Sequence, residues 1–149
     1  MDCGCRSATL RAIENRDVDL ENKLISYRHT KNRRTQILPL CSEMVSILQE
    51  YMRFRKGDPT DKLFCSVEGQ PLEEKTLWKA IAHYNKKRGV QKTSVHLFRH
   101  TFARKYLLDC DGDAFTLQRI LGHSTLAMTK HYCAIYNTDI IKNFEGELL

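Results

Sequence analysis

The spacing of apolar positions changes along this chain, and each change marks an element. Leu10 and Ile13 repeat at helical spacing and predict a short first helix that ends between Asn15 and Asp19. Asp17-Val18-Asp19-Leu20 alternates as a strand, Glu21-Asn22-Lys23 turns, and Leu24 to His29 alternates again. Lys31-Asn32-Arg33-Arg34 forms a tight basic turn, and Thr35 to Leu38 is the return strand. Pro39 closes the strand, since proline cannot donate to a ladder. The result is a three-stranded meander with a cationic hairpin tip. From Leu40 the period becomes helical through Met44, Ile47, Leu48 and Tyr51, with Ser42 as N-cap and a basic end at Arg53 to Gly57. Leu63-Phe64-Cys65 predicts a short strand, and Gly69-Gln70-Pro71 a turn. Helices follow over 73–87 (Leu77, Ile81 and Tyr84 on one face, Gly89 as stop), 96–109, 114–121 and 124–136, with a short piece over 140–144. The class is α+β, mainly helical: a small three-stranded antiparallel sheet with about six to seven helices.

Residues 1–136 read as one domain without repeats, low-complexity tracts or an interior linker. Residues 137–149 differ, being locally acidic (Asp139, Glu145 and Glu147 against Lys142) and dotted with Ile140, Ile141, Phe144, Leu148 and Leu149. Such a tail suits docking on protein, either its own domain or a neighbouring subunit. The 149 residues carry 24 Lys and Arg against 18 Asp and Glu, a net +6 compatible with nucleic acid or another anionic surface. No run of about 18 apolar residues is present, and the first residues lack a secretory signal pattern. Six cysteines are scattered among apolar neighbours without Cys-x-x-Cys or zinc-finger spacing, the pattern of reduced core thiols.

Candidate chemistry concentrates between His96 and Tyr132. His96 and Arg99 stand three apart, Leu121-Gly122 precedes His123, and Tyr132 follows His123 by nine. A helix places positions three apart on one face, so His96 and Arg99 can face one object. Taken singly, each has an ordinary use: a surface histidine, a solvated arginine, a helix stop, a core-edge aromatic. Together they suit phosphoryl transfer, which depends on positioning and charge stabilisation. The sequence shows no acidic cluster able to hold Mg²⁺ and no Walker-type glycine loop.

The words HLFRHTFA and LGHSTLAMTKHY closely resemble two boxes of the tyrosine recombinase (phage integrase) family. Gly4-Cys5-Arg6-Ser7, followed by Asp17 to Leu20, resembles the family's first arginine box, and Thr30-Lys31-Asn32 the position of its lysine. The resemblance runs from about Cys3 to Tyr136 in the family's order. It implies a catalytic domain that cleaves and rejoins DNA in site-specific recombination, with Arg6, Lys31, His96, Arg99, His123 and Tyr132 as its catalytic set. Arg6 and Arg99 would grip the scissile phosphate, for which a planar, permanently charged fork is suited. Tyr132 would attack, leaving a 3′-phosphotyrosyl link and a free 5′-hydroxyl, with no metal or other cofactor required. Lys31 would protonate the leaving oxygen, His96 would shuttle the tyrosine's proton, and His123 would hydrogen-bond the phosphate. The family usually carries an acidic residue three positions after its first arginine, where this chain has Thr9. It also carries an N-terminal DNA-binding domain, which this chain does not include.

Arg28, Arg33, Arg34, Lys75, Lys79 and Lys86 are candidates for phosphate contacts outside the site, with Lys87 and Arg88 beside them. The implied partners are double-stranded DNA and further copies of the chain, as a tetramer on DNA, in the cytoplasm of a prokaryote and associated with its nucleoid. The alternatives are a non-catalytic DNA-binding remnant of the fold and a strand cleaver resembling type IB topoisomerases.

Overall fold

A computed structural model describes residues 4–30, 35–91, 94–110, 112–125, 127–130 and 132. The basic turn Lys31–Arg34, His131, and the tail 137–149 therefore lie outside the described residues. Helix α1 (Ser7–Ala12) leads into a 3-10 turn (Asn15–Asp17) and the strands β1 (Val18–Asp19), β2 (Leu24–Tyr27) and β3 (Gln36–Pro39). The sheet is antiparallel in the order β1-β2-β3, as the meander predicts, with Ile25 opposite Leu38 and Tyr27 opposite Gln36. Helices α2 (Ser42–Arg55), α3 (Glu74–Lys86), α4 (Val95–Leu108) and α5 (Ala114–Leu121) follow, and residues 127–130 and 132 are again helical. Among the described residues the class is the expected one, mainly helical with one small sheet.

Two apolar clusters hold the elements. The first joins Ile25, Tyr27 and Leu38 of the sheet to Ile13, Leu40, Leu48 of α2, and Leu63. The second joins Ala103 of α4 to Leu117 and Leu121 of α5 and to Tyr132. The alternation that buries Ile25 and Tyr27 puts one face of the hairpin on the first cluster.

Four expectations need correction. Cys41, not Ser42, caps α2: its Sγ accepts the Met44 N–H at 3.4 Å, and Ser42 is already helical. The helix closes at Lys56, which takes the positive φ expected at Gly57. Residues 63–65 form no strand, because the segment's backbone is shared among other partners. Leu63 N–H donates to the Ile13 carbonyl, the Tyr51 hydroxyl to the Leu63 carbonyl, and Arg55 to the Lys62 carbonyl. The described cysteines are thiols, but Cys41 and Cys110 are exposed, while Cys5 and Cys65 are partly buried. Only the latter pair approaches the expected core setting.

Candidate active site

Arg99 is the hub. Helix α4 starts at the Ser94 cap, whose hydroxyl accepts the His96 N–H at 3.2 Å, and its inward stripe is Arg99 and Ala103. Arg99 is only 6% exposed. Its Nη1 donates to the Gly4 carbonyl and its Nη2 to the Leu121 carbonyl, both at 2.7 Å. The same Nη2 lies 2.9 Å from His123 Nε2. These bonds tie the segment before α1 and the end of α5 to α4. Gly4 permits the approach: its φ is +50°, and a Cβ there would stand 2.6 Å from the Phe102 ring.

His123 is delivered by the end of α5. Asp113 caps that helix by accepting the Phe115 and Thr116 N–H groups, each at 2.9 Å. Gly122 then turns left-handed (φ +61°), and the Gly122 and His123 N–H groups close on the Arg119 and Gln118 carbonyls. The turn faces the imidazole inward, with Nδ1 2.9 Å from the Thr129 hydroxyl. Tyr132 is 7% exposed and packs on two histidines, its ring centroid 5.8 Å from His123 and 5.1 Å from His100.

The electrostatics follow from this burial. Loss of solvent, then the charges of Arg99 and Arg6, push His123 down from 6.5 to about 4. Burial and the Arg6 charge lower the Arg99 pKa, whereas Tyr132, through charge and a hydrogen bond, works the other way.

Beside this hub opens a cleft of about 1070 Å³ between the sheet and α5. Arg6, Thr9, Arg99 and His123 line it, facing Thr30, Thr35 and Gln36 of the hairpin arms. Thr9, in the position where the family usually has a carboxylate, is buried in this wall. The structure thus brings together Arg6, Arg99 and His123, with Tyr132 behind the histidine. His96 does not share the buried setting of Arg99: it is exposed one turn earlier on α4, at the helix start, and is not among the cleft-lining residues. Lys31, Arg33 and Arg34 fall outside the described residues.

Of the other cations, Arg28 pairs with the buried Asp17 at 2.5 Å. Lys75, Lys79 and Lys86 are exposed on α3 at spacings that form one stripe, roughly opposite Leu77 and Ile81. Thr129 and Gln36 are the participants that sequence reasoning missed. Gln36 Nε2 donates to the Ile120 carbonyl at 2.8 Å and also to that of Arg119, joining β3 to the end of α5. Its signal was a polar residue on the same strand face as Leu38.

Known proteins resemble this chain in sequence and in fold. Residues 1–138 match the model of the phage integrase family. Tyrosine recombinase XerA of Saccharolobus solfataricus is 32% identical over 140 residues, covering 94% of this chain and 45% of that protein. Tyrosine recombinase XerD of Pseudomonas aeruginosa is 31% identical over 139 residues, covering 89% of this chain and 46% of the other. The crystal structure of a XerA recombinase superposes with a TM-score of 0.78 at 31% identity, over 93% of this chain and 53% of that one. The chain thus spans about half the length of the relatives it matches. With the boxes around Arg99 and His123 meeting at one buried guanidinium, and with this match over residues 1–138, the chain belongs to the phage integrase family of tyrosine recombinases.

Proposed function

We propose that this chain is the catalytic part of a site-specific DNA recombinase, which cleaves and rejoins duplex DNA through a 3′-phosphotyrosine intermediate. The observation that carries the reading is the Arg99 hub. One guanidinium bonds the Gly4 carbonyl beside Arg6, the Leu121 carbonyl and His123, at the wall of an open cleft. In this reading a DNA phosphate enters the cleft and is held by Arg6 and Arg99, whose forks suit its non-bridging oxygens. His123, neutral at physiological pH, donates a hydrogen bond to the phosphate. Tyr132 attacks the phosphorus and displaces the 5′-oxygen, which Lys31 protonates, while His96 takes the phenolic proton. Tyr132 packs on His100 and His123, and its charge and hydrogen bond to Arg99 tie it to the group that holds the phosphate. The bond energy passes from phosphodiester to phosphotyrosine and back, so rejoining consumes no nucleotide.

The α3 stripe of Lys75, Lys79 and Lys86 supplies phosphate contacts outside the site, together with Arg28, Arg33 and Arg34. Strand exchange joins two duplexes, which calls for a tetramer of the chain on paired sites and gives the tail 137–149 a partner to dock on, in cis or in trans. The prokaryotic relatives support action in the cytoplasm, at the nucleoid.

The test is a pool of nicked duplexes of randomised sequence, incubated with the protein and resolved on a denaturing gel. A covalent protein–DNA adduct that disappears in Tyr132→Phe supports the reading. Binding without an adduct points instead to a non-catalytic module, and relaxation of supercoiled plasmid without strand exchange to a topoisomerase-like cleaver.

A further inference from the structure

The contacts of His123 determine where its proton sits. A guanidinium offers N–H donors and no acceptor, so Arg99 Nη2 at 2.9 Å requires a lone pair on His123 Nε2. A neutral imidazole with its lone pair at Nε2 carries its hydrogen on Nδ1. That hydrogen points at Thr129 Oγ1, 2.9 Å away, and the threonine is fully buried, at 0% exposure. The hydroxyl is therefore the acceptor, and an imidazolium, with hydrogens on both nitrogens, would oppose the Arg99 donor.

Donation from His123 to a phosphate requires the other tautomer, with hydrogen on Nε2. In that state Nδ1 bears the lone pair and needs a donor. A threonine hydroxyl can reverse its role by rotating, whereas an apolar side chain of the same shape could serve neither tautomer. Thr129 also lies three residues before Tyr132, so the segment that carries the tyrosine also carries the hydroxyl that meets Nδ1.

We propose that Thr129 is a positioning residue that partners His123 Nδ1 in both of its neutral tautomers. It holds the histidine as Nδ1–H in the free protein, with Nε2 bound to Arg99, and turns to donate to Nδ1 when Nε2 carries hydrogen toward the phosphate. Nδ1 gives up one proton as Nε2 takes one, exchanged through water in the cleft that His123 lines, so the ring's charge is unchanged. The first half stands on geometry alone, and the second rests on the recombinase reading.

The experiment combines ¹⁵N NMR of the histidine ring in the 149-residue chain with cleavage of the nicked-duplex pool. At neutral pH the wild type is expected to show a pyrrole-type Nδ1 and a pyridine-type Nε2 at His123, assigned by loss of the signals in His123→Asn. Thr129→Val should leave Nδ1 without a partner, move its resonance, and slow adduct formation about 10-fold without weakening duplex binding, as loss of a group that orients a working histidine does. Thr129→Ser should preserve both. A wild-type Nε2–H or doubly protonated ring overturns the proposal, as does a folded Thr129→Val protein with unchanged Nδ1 resonance and cleavage. If the valine variant does not fold, Thr129→Ser and the wild-type tautomer still decide, since a serine variant lacking the Nδ1–H form contradicts the role of the hydroxyl. An Nδ1–H ring in a wild-type protein that forms no adduct upholds the resting assignment and overturns the donor role together with the recombinase reading.

Discussion

Arg99 has five N–H groups, and its bonds to Gly4, Leu121 and His123 use three of them. The residue is thus both part of the fold and the floor of the cleft, and lysine cannot reproduce its fork. Arg99→Lys is expected to slow adduct formation by at least about 100-fold, the scale of losing a preorganised transition-state donor, while duplex binding changes far less. Equal losses of binding and cleavage would reduce Arg99 to an anchor. His123 supplies a pH signature. The folded protein keeps its ring neutral down to about 4, whereas an unfolded chain takes up the proton near 6.5. Between those values the unfolded state binds more protons, so stability falls as pH drops from 6.5 toward 4 and is free of this penalty above 6.5. Proton NMR should give His123 a midpoint well below 6.5; a midpoint near 6.5 would contradict the buried pairing. The meeting of Arg99, His123 and Tyr132 was legible in the sequence because they stand in two words that resemble boxes of one family. Thr129 was not, since a threonine inside a helix has many ordinary uses and only its distance to His123 gives it one.

The elements were legible wherever apolar period and punctuation agreed. The meander, α4 and α5 fall within a residue or two of their expected limits, because alternation, the Asp113 cap and Gly122 all mark the same boundaries. The segment around Leu63 misled, since an apolar run is also what a buried coil crossing the core requires. What connects the elements was invisible from spacing. Gln36 fastens the hairpin's return strand to the last carbonyls of α5, 83 and 84 residues away in sequence. Gln36→Ala removes both bonds and is expected to cost about 1–2 kcal/mol in denaturant unfolding, the net value of a few exposed to half-buried hydrogen bonds. Because the Gly122 turn follows those carbonyls, the variant should also broaden the His123 ring signals. An unchanged unfolding midpoint together with unchanged His123 signals would show that β3 and α5 hold their places without it.

At the scale of the molecule, residues of two apolar clusters line an open cleft, and Arg99 in its wall joins the segment before α1 to the end of α5. Composition indicated a basic protein, but not that three of its lysines would form one stripe on α3, facing away from Leu77. If that stripe lies along a duplex, replacing Lys75, Lys79 and Lys86 together by alanine should lower the slope of log affinity against log salt by roughly 2–3, near one counterion per phosphate contact. An unchanged slope would remove α3 from the DNA-facing surface. The broad architecture was readable because helical and strand periods survive in any single sequence. The sheltering of Tyr132 was not, because its burial depends on His100 and His123 packing on it from other elements. The most direct test of the central claim remains the covalent bond. Nicked duplex incubated with the protein should yield a DNA adduct resistant to denaturation, with peptide mapping placing the nucleotide on Tyr132 and with none formed by Tyr132→Phe. An adduct retained by that variant, or none from the wild type on any duplex of the randomised pool, would contradict it.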